Sequence, residues 1–227
     1  MGVKAVVFDL DGTLATFNID YMAVRAEVRG FLIIVGIPAS VLSLNESIFE
    51  MLKKAEIFLK NNDKPQKTVE NVRRKALAIA EKYELEAAKS TSLLPGVVET
   101  LRTIKKMGLK IGLCTINGEK SASFILKRFR ILGYFKAIVT RDKVRYVKPD
   151  VEHLSKVLRT LRVKPQETIL VGDGKSDMNC AKELKVIGVG FPTGISSPTE
   201  LISSGASYII TSMADLPTMI EYVNKAS

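Results

Sequence analysis

Residues 3–8, Val3-Lys4-Ala5-Val6-Val7-Phe8, form an apolar run broken only by Lys4 and ended by Asp9. A strand with one solvated face alternates apolar and polar residues. A run that does not alternate is buried on both faces, as in parallel sheets covered by helices on either side. A parallel neighbour is reached only through a long crossover, so such a chain must supply further strands separated by helices. From residue 94 it does. Strand-like runs recur at 110–115, 136–140, 168–172, 186–189 and 208–210. Helical patterns separate them at about 118–131, 150–162, 175–184, 198–204 and 214–224, and Pro95 and Gly96 open a further helix that ends at Gly108. The expected class is α/β, a parallel sheet with helices on both faces.

Residues 16–90 break this rhythm. Ala23, Val24, Ala26, Val28, Phe31, Leu32 and Val35 mark one helix, stopped by Gly36 and Pro38. Ser43 and Glu46 have capping-box spacing ahead of a second, in which Ile48, Met51, Leu52, Ala55 and Phe58 recur every three or four residues. After a break at Asn61–Pro65, a third helix carries Val69, Val72, Ala76, Ile79, Ala80, Tyr83 and Ala87 on one face. The expected organisation is a core of residues 1–15 and 91–227, with an all-helical block, 16–90, inserted after the first strand.

Composition narrows the function. The net charge is +10, carried mainly outside the insert: residues 16–90 hold 12 basic and 10 acidic side chains, the remainder 22 and 14. The excess is densest from Lys127 to Lys148, and such a field suits nucleic acid, an anionic membrane or a small phosphorylated substrate. The longest apolar stretch, Phe31 to Leu44, contains Gly36 and Pro38 and falls short of the roughly 20 residues of a membrane span. Few aromatic residues interleave the basic stretch, which does not favour nucleic acid. Cys114 and Cys180 fit no metal spacing. With no export signal ahead of the first strand, reduced thiols and a cytoplasmic location are expected. Oligomeric state leaves no trace in the sequence.

In open parallel sheets ligands bind beyond the carboxyl ends of the strands, and there the polar residues gather. The first strand ends in Asp9-Leu10-Asp11-Gly12-Thr13-Leu14. Positions 9 and 11 share one side of an extended chain, and two carboxylates so placed repel unless a cation or proton lies between them. An Asp-Gly turn with a polar lip is the plainer reading. The second run ends in Thr115-Ile116-Asn117-Gly118, where a hydroxyl and a helix start offer donors to an anion, or where Thr115 simply caps a turn. Lys148 precedes Pro149 and Asp150, good helix-start residues, and taken alone is an ordinary solvated lysine. The strand at 168–172 ends in Gly172-Asp173-Gly174-Lys175-Ser176-Asp177; the two acids suit a hard cation or a helix cap with a first-turn acid.

Four such constellations in the order acid pair, hydroxyl, lysine, acid pair resemble the haloacid dehalogenase superfamily of phosphohydrolases, particularly its phosphoglycolate-phosphatase-like members. The resemblance rests on Asp9, Asp11, Gly12 and Thr13, on Thr115, on Lys148 with Pro149, and on Gly172, Asp173 and Asp177, and it spans almost the whole chain. It implies a Rossmann-like core, with residues 16–90 as a helical cap that closes over the substrate and chooses the leaving group. It implies Mg²⁺-dependent hydrolysis of a small phosphorylated metabolite, phosphoglycolate-like or a sugar phosphate. Asp9 would attack phosphorus to form an aspartyl-phosphate, and Asp11 would serve as acid and then base. Mg²⁺ would be held by Asp9, the Asp11 backbone carbonyl and Asp173. Thr115, the Ile116 amide and Lys148 would hold phosphoryl oxygens, with Asp177 supporting the metal's waters or pairing with Lys148. Relatives of this kind often carry Thr-Asn where Ile116 here separates Thr115 from Asn117, so the role of Asn117 stays open. A phosphomutase, a phosphonate hydrolase and a catalytically silent binding protein are the alternatives.

Overall fold

The computed structural model describes residues 2–226. In chain order its principal elements are β1 (Ala5–Phe8), α1 (Tyr21–Ile34), α2 (Ile48–Asn61), α3 (Gln66–Ser90), α4 (Val97–Lys106), β2 (Lys110–Cys114), α5 (Glu119–Arg128) and β3 (Ala137–Val139). There follow α6 (Val151–Leu161), β4 (Thr168–Gly172), α7 (Lys175–Leu184), β5 (Ile187–Gly190), α8 (Pro198–Ser203), β6 (Tyr208–Ile209) and α9 (Leu216–Ala226). No helix among the described residues is long and apolar enough to cross a membrane.

Among the described residues six strands form one sheet in the order β3-β2-β1-β4-β5-β6, and each strand runs parallel to its neighbours. The non-alternating runs take the central places: β1 and β4 are adjacent and buried at every position. The chain runs outward from β1 through β2 to β3, then crosses back to β4 on the other flank of β1. Such a reversal opens a crevice at the carboxyl ends of the strands that diverge from it. In register, Phe8 lies opposite Leu113 on one side and Val171 on the other. The next residue, Asp9, is held at the strand end by its amide on the Val171 carbonyl, 3.0 Å away.

The chain separates into two compact units, Met1–Asn18 with Ser90–Ser227, and Ile19–Lys89. The sequence places the first boundary three residues earlier. Residues 16–18 stay with the sheet because the segments leading out and back pair with each other: Ala15 bridges Leu93, the Thr16 amide donates to the Ser92 carbonyl at 2.8 Å, and the Thr16 and Thr91 hydroxyls meet at 3.0 Å. The unit Ile19–Lys89 is built on α1, α2 and α3, whose apolar faces form a core of its own around Val28, Leu32, Met51, Leu52, Val72 and Ala76. One cap differs from expectation. Helix α2 starts at Ile48, and its capping box is Ser47 with Glu50, not Ser43 with Glu46. Glu46 instead accepts the Ser43 amide at 3.0 Å one turn upstream. Two Ser-x-x-Glu pairs stand four residues apart, and the one abutting the apolar repeat starts the helix.

Candidate active site

The sheet brings the four strand-end constellations to one edge. Asp9 follows β1, Thr115 follows β2, Asp173 follows β4, and Asp177 lies in the first turn of α7. Lys148 sits in the segment between β3 and α6, and the Lys148–Pro149 peptide is cis. Asp9, Thr115, Lys148, Asp173 and Asp177 are all buried. Buried charges occur where they are paired or coordinate metals, so the question is what balances these.

Lys148 balances two of them. Its ammonium lies 2.5 Å from Asp177 Oδ1 and 2.9 Å from Asp9 Oδ1. The contact to Asp177 is a hydrogen bond. The contact to Asp9 lies off the hydrogen-bond directions, so Asp9 Oδ1 is buried with no hydrogen-bond partner. Asp177 Oδ2 also accepts the Gly174 amide at 3.2 Å. Burial alone would lower the lysine, but the charges of Asp177 and Asp9 outweigh it and raise its pKa well above the ordinary value.

Among the described residues Asp173 has no such partner. Burial first, then the charges of Asp9 and Asp177, push it up to about 8. Burial and Asp9 push Asp177 up to about 6 against the pull of Lys148. The 2.5 Å contact between the Lys148 ammonium and Asp177 is that of a charged pair. Ligand oxygens of Asp9, Asp173 and Asp177 all lie within 4.8 Å of one another. Three carboxylates against one ammonium leave a deficit of positive charge.

The neighbours of Asp173 are shaped to admit it. Gly12 has φ +75°, and a Cβ there would fall 2.3 Å from Asp173 Oδ2. A Cβ on Gly172 would fall 2.4 Å from the Asp177 carboxyl carbon. The Thr13 hydroxyl donates to Asp173 Oδ1 at 3.4 Å. On the β2 side, Thr115 Oγ1 accepts the Asn117 amide at 3.2 Å, the turn-capping role its residue type permits unaided. Ile116 lies within that turn, its side chain exposed.

Two features escape the sequence reading. The half-buried Asp11 accepts a 2.7 Å hydrogen bond from the Asn117 amide nitrogen Nδ2, so Asn117 reaches the second carboxylate of the first strand end. The segment after β5 also arrives at this edge. Thr193 Oγ1 donates to the Gly12 carbonyl, and a Cβ on Gly194 would fall 1.6 Å from Asp173 Oδ2. A signal existed for the second: β5 is parallel to the others, so its carboxyl end must open on the same edge.

A family model described as haloacid dehalogenase-like hydrolase matches residues 6–190. The chain is 31% identical over 128 residues to pyrophosphatase PpaX of Bacillus mycoides, covering 56% of this chain and 60% of that one. It is 32% identical over 139 residues to a phosphoglycolate phosphatase of Pseudomonas putida, covering 61% and 49%. The chain thus spans about half to three fifths of the length of these curated relatives. A hydrolase from Pseudomonas syringae has the same fold, with a TM-score of 0.66 at 24% identity over 97% of this chain and 99% of that one.

Proposed function

Since this chain belongs to the haloacid dehalogenase-like hydrolase family, we propose that it hydrolyses a small phosphorylated metabolite, with Asp9 as nucleophile and Mg²⁺ as cofactor. The observation that carries the reading is the buried group Asp9, Asp173 and Asp177, its oxygens within 4.8 Å, beside one buried ammonium. An all-oxygen donor set with unbalanced negative charge, and a buried Asp9 oxygen with no hydrogen-bond donor, fits a hard divalent cation. Asp9, the Asp11 backbone carbonyl and Asp173 would hold it; Asp177 is engaged by Lys148. When bound, the cation offsets the repulsion between the acids and an incoming phosphoryl group and orients the two.

The protein's own groups carry the steps. Asp9 attacks phosphorus, the phosphorus–oxygen bond to the leaving group breaks, and the phosphoryl group rests on Asp9. Asp11 protonates the departing alkoxide. It then takes a proton from the water whose oxygen attacks the phosphoryl group, which leaves as inorganic phosphate and regenerates Asp9. Asn117 holds Asp11 from one side. Lys148 pairs with Asp9 and presents positive charge to the phosphoryl oxygens, with Thr115 and the Ile116 amide as further donors. We assign substrate choice to the helical unit, Ile19–Lys89.

The test is phosphate release from p-nitrophenyl phosphate, phosphoglycolate, pyrophosphate and a panel of sugar phosphates, with Mg²⁺ and with EDTA. Asp9→Asn keeps the shape and removes the attacking charge, and turnover should fall by at least about three orders of magnitude. Near-normal turnover in a folded Asp9→Asn protein, or full activity after metal stripping, overturns the reading.

A further inference from the structure

His153 is the chain's one histidine, and it lies in the first turn of α6 with no exposed surface. Its Nε2 is 3.1 Å from the carbonyl of Val139, the last residue of β3. Its Nδ1 is 3.4 Å from the backbone nitrogen of Lys148. A carbonyl accepts and a backbone N–H donates. Both contacts are therefore hydrogen bonds only in the neutral tautomer that carries its proton on Nε2. The adjacent residue completes the grip. Glu152 accepts the backbone amides of Arg145 and Tyr146 at 3.1 and 3.0 Å. The segment that delivers Lys148 thus hangs from the start of α6 by three amides, and His153 holds the one nearest the site.

We infer that His153 is a positioning residue for Lys148: its imidazole splints the lysine's backbone to the end of β3, so that the ammonium reaches Asp9 and Asp177 together. The inference deepens the hydrolase reading and rests on it for its kinetic consequence. The environment agrees with a ring that stays neutral. Burial, then the charge of Lys148, lower its pKa to about 3, with the Val139 hydrogen bond opposing. A protonated ring would turn an N–H on Nδ1 toward the Lys148 amide and end that contact.

The single histidine makes the test direct. In a long-range ¹H–¹⁵N spectrum of the intact protein, His153 should show the Nε2–H tautomer and no titration between pH 8 and 5. An Nδ1–H tautomer, or titration near the ordinary value of about 6.5, overturns the inference. Two substitutions separate the two ring contacts. In His153→Asn the side-chain oxygen stands near the Nδ1 position and can accept the Lys148 amide. In His153→Gln the side-chain nitrogen stands near Nε2 and keeps only the Val139 contact. With p-nitrophenyl phosphate, His153→Gln should lower kcat by ~10- to 100-fold with KM changed little, since misplacement by about 1 Å costs on that order, and His153→Asn should retain most of the rate. Equal rates in the two variants overturn the inference. One readout is independent of turnover: the ε-methylene shifts of Lys148 should move in His153→Gln as its ammonium leaves the acid pair. If the wild type hydrolyses none of the substrates, the hydrolase reading falls, and the tautomer and the lysine shifts still decide the role of His153. Unmoved lysine shifts overturn it.

Discussion

Gly194 offers a sharp test of the proposed metal site, because its neighbour is a carboxylate oxygen. A Cβ at position 194 would lie 1.6 Å from Asp173 Oδ2, about 1.8 Å short of the 3.4 Å at which ordinary contact begins. The clash has few exits. Asp173 cannot turn toward Gly12, where a Cβ would already fall at 2.3 Å and the backbone stands close, and the segment bearing Gly194 is tied by the Thr193 hydroxyl to the Gly12 carbonyl. Gly194→Ala therefore displaces Asp173, the segment, or both. Overpacking of this kind costs about 1–3 kcal/mol. That corresponds to a drop of several degrees in Tm, at ~2–4 °C per kcal/mol for a chain of this size. The larger effect falls on the cation. Mg²⁺ demands a near-ideal octahedron, and a ligand moved by more than about 1 Å should cost at least ~100-fold in rate at a fixed Mg²⁺ concentration. The assay is a titration of rate against Mg²⁺, with a melting curve for each protein. Gly133→Ala is the control, since nothing lies within 4 Å of a Cβ there. A Gly194→Ala protein with wild-type Mg²⁺ dependence and rate would refute the reasoning.

Asp11→Asn should slow alkyl phosphates more than p-nitrophenyl phosphate, whose leaving group needs little protonation. Asn117→Ala should show the same pattern more weakly, and the two effects should combine less than additively because the side chains are hydrogen-bonded; full additivity in a double-mutant cycle would separate them. In EDTA, stability should fall as pH rises from 6.5 to 8. Asp173 is held up to about 8 when folded but titrates near 3.9 when unfolded, so the native state binds the extra proton across that window, worth about 2 kcal/mol in total. Below about 6.5 the trend is opposed by His153, lowered to about 3 when folded, which must shed a proton to fold. Melts in EDTA that rise between pH 6.5 and 8 would contradict the Asp173 assignment, and added Mg²⁺ should recover the loss by binding the native state. Gly30→Ala, in the middle of α1 with nothing within 4 Å of a Cβ, should stabilise the helical unit by about 0.5–1 kcal/mol; a lowered Tm would refute it.

The elements that read most clearly are those whose residues decide locally. The strand at Thr168–Gly172 and the helix at Lys175–Leu184 stand where the sequence puts them, the first because its run never alternates, the second because its acids and apolar positions agree in phase. Boundaries moved where two local signals competed, as with Ser43 and Ser47, or where pairing between distant segments decides, as with Thr16 and Ser92. The acids were legible because Asp9 and Asp173 each end a strand, with Asp11 and Asp177 close behind them in the chain. The Asn117–Asp11 bond was not, since it depends on how two turns after different strands face each other. Gly194 shares that difficulty. It carries no chemical group, and its importance is the space it leaves for Asp173. His153, on a buried helix face, looks like any core residue until the end of β3 and the lysine's backbone are placed on either side of it.

The pairing at the base of the insertion decides what the sheet itself must hold closed. Because Ala15 bridges Leu93 and Thr16 reaches Thr91 and Ser92, the outgoing and returning chains are stitched together before residue 19 is reached. The sheet therefore meets whatever is inserted there as a loop already closed at its neck. Closing a loop costs only about 0.6 kcal/mol for each doubling of its length, so replacing a short turn by a segment as long as residues 19–89 adds roughly 2–3 kcal/mol. The register of the sheet is therefore set without reference to the length of residues 19–89, which the neck holds apart from it in the chain.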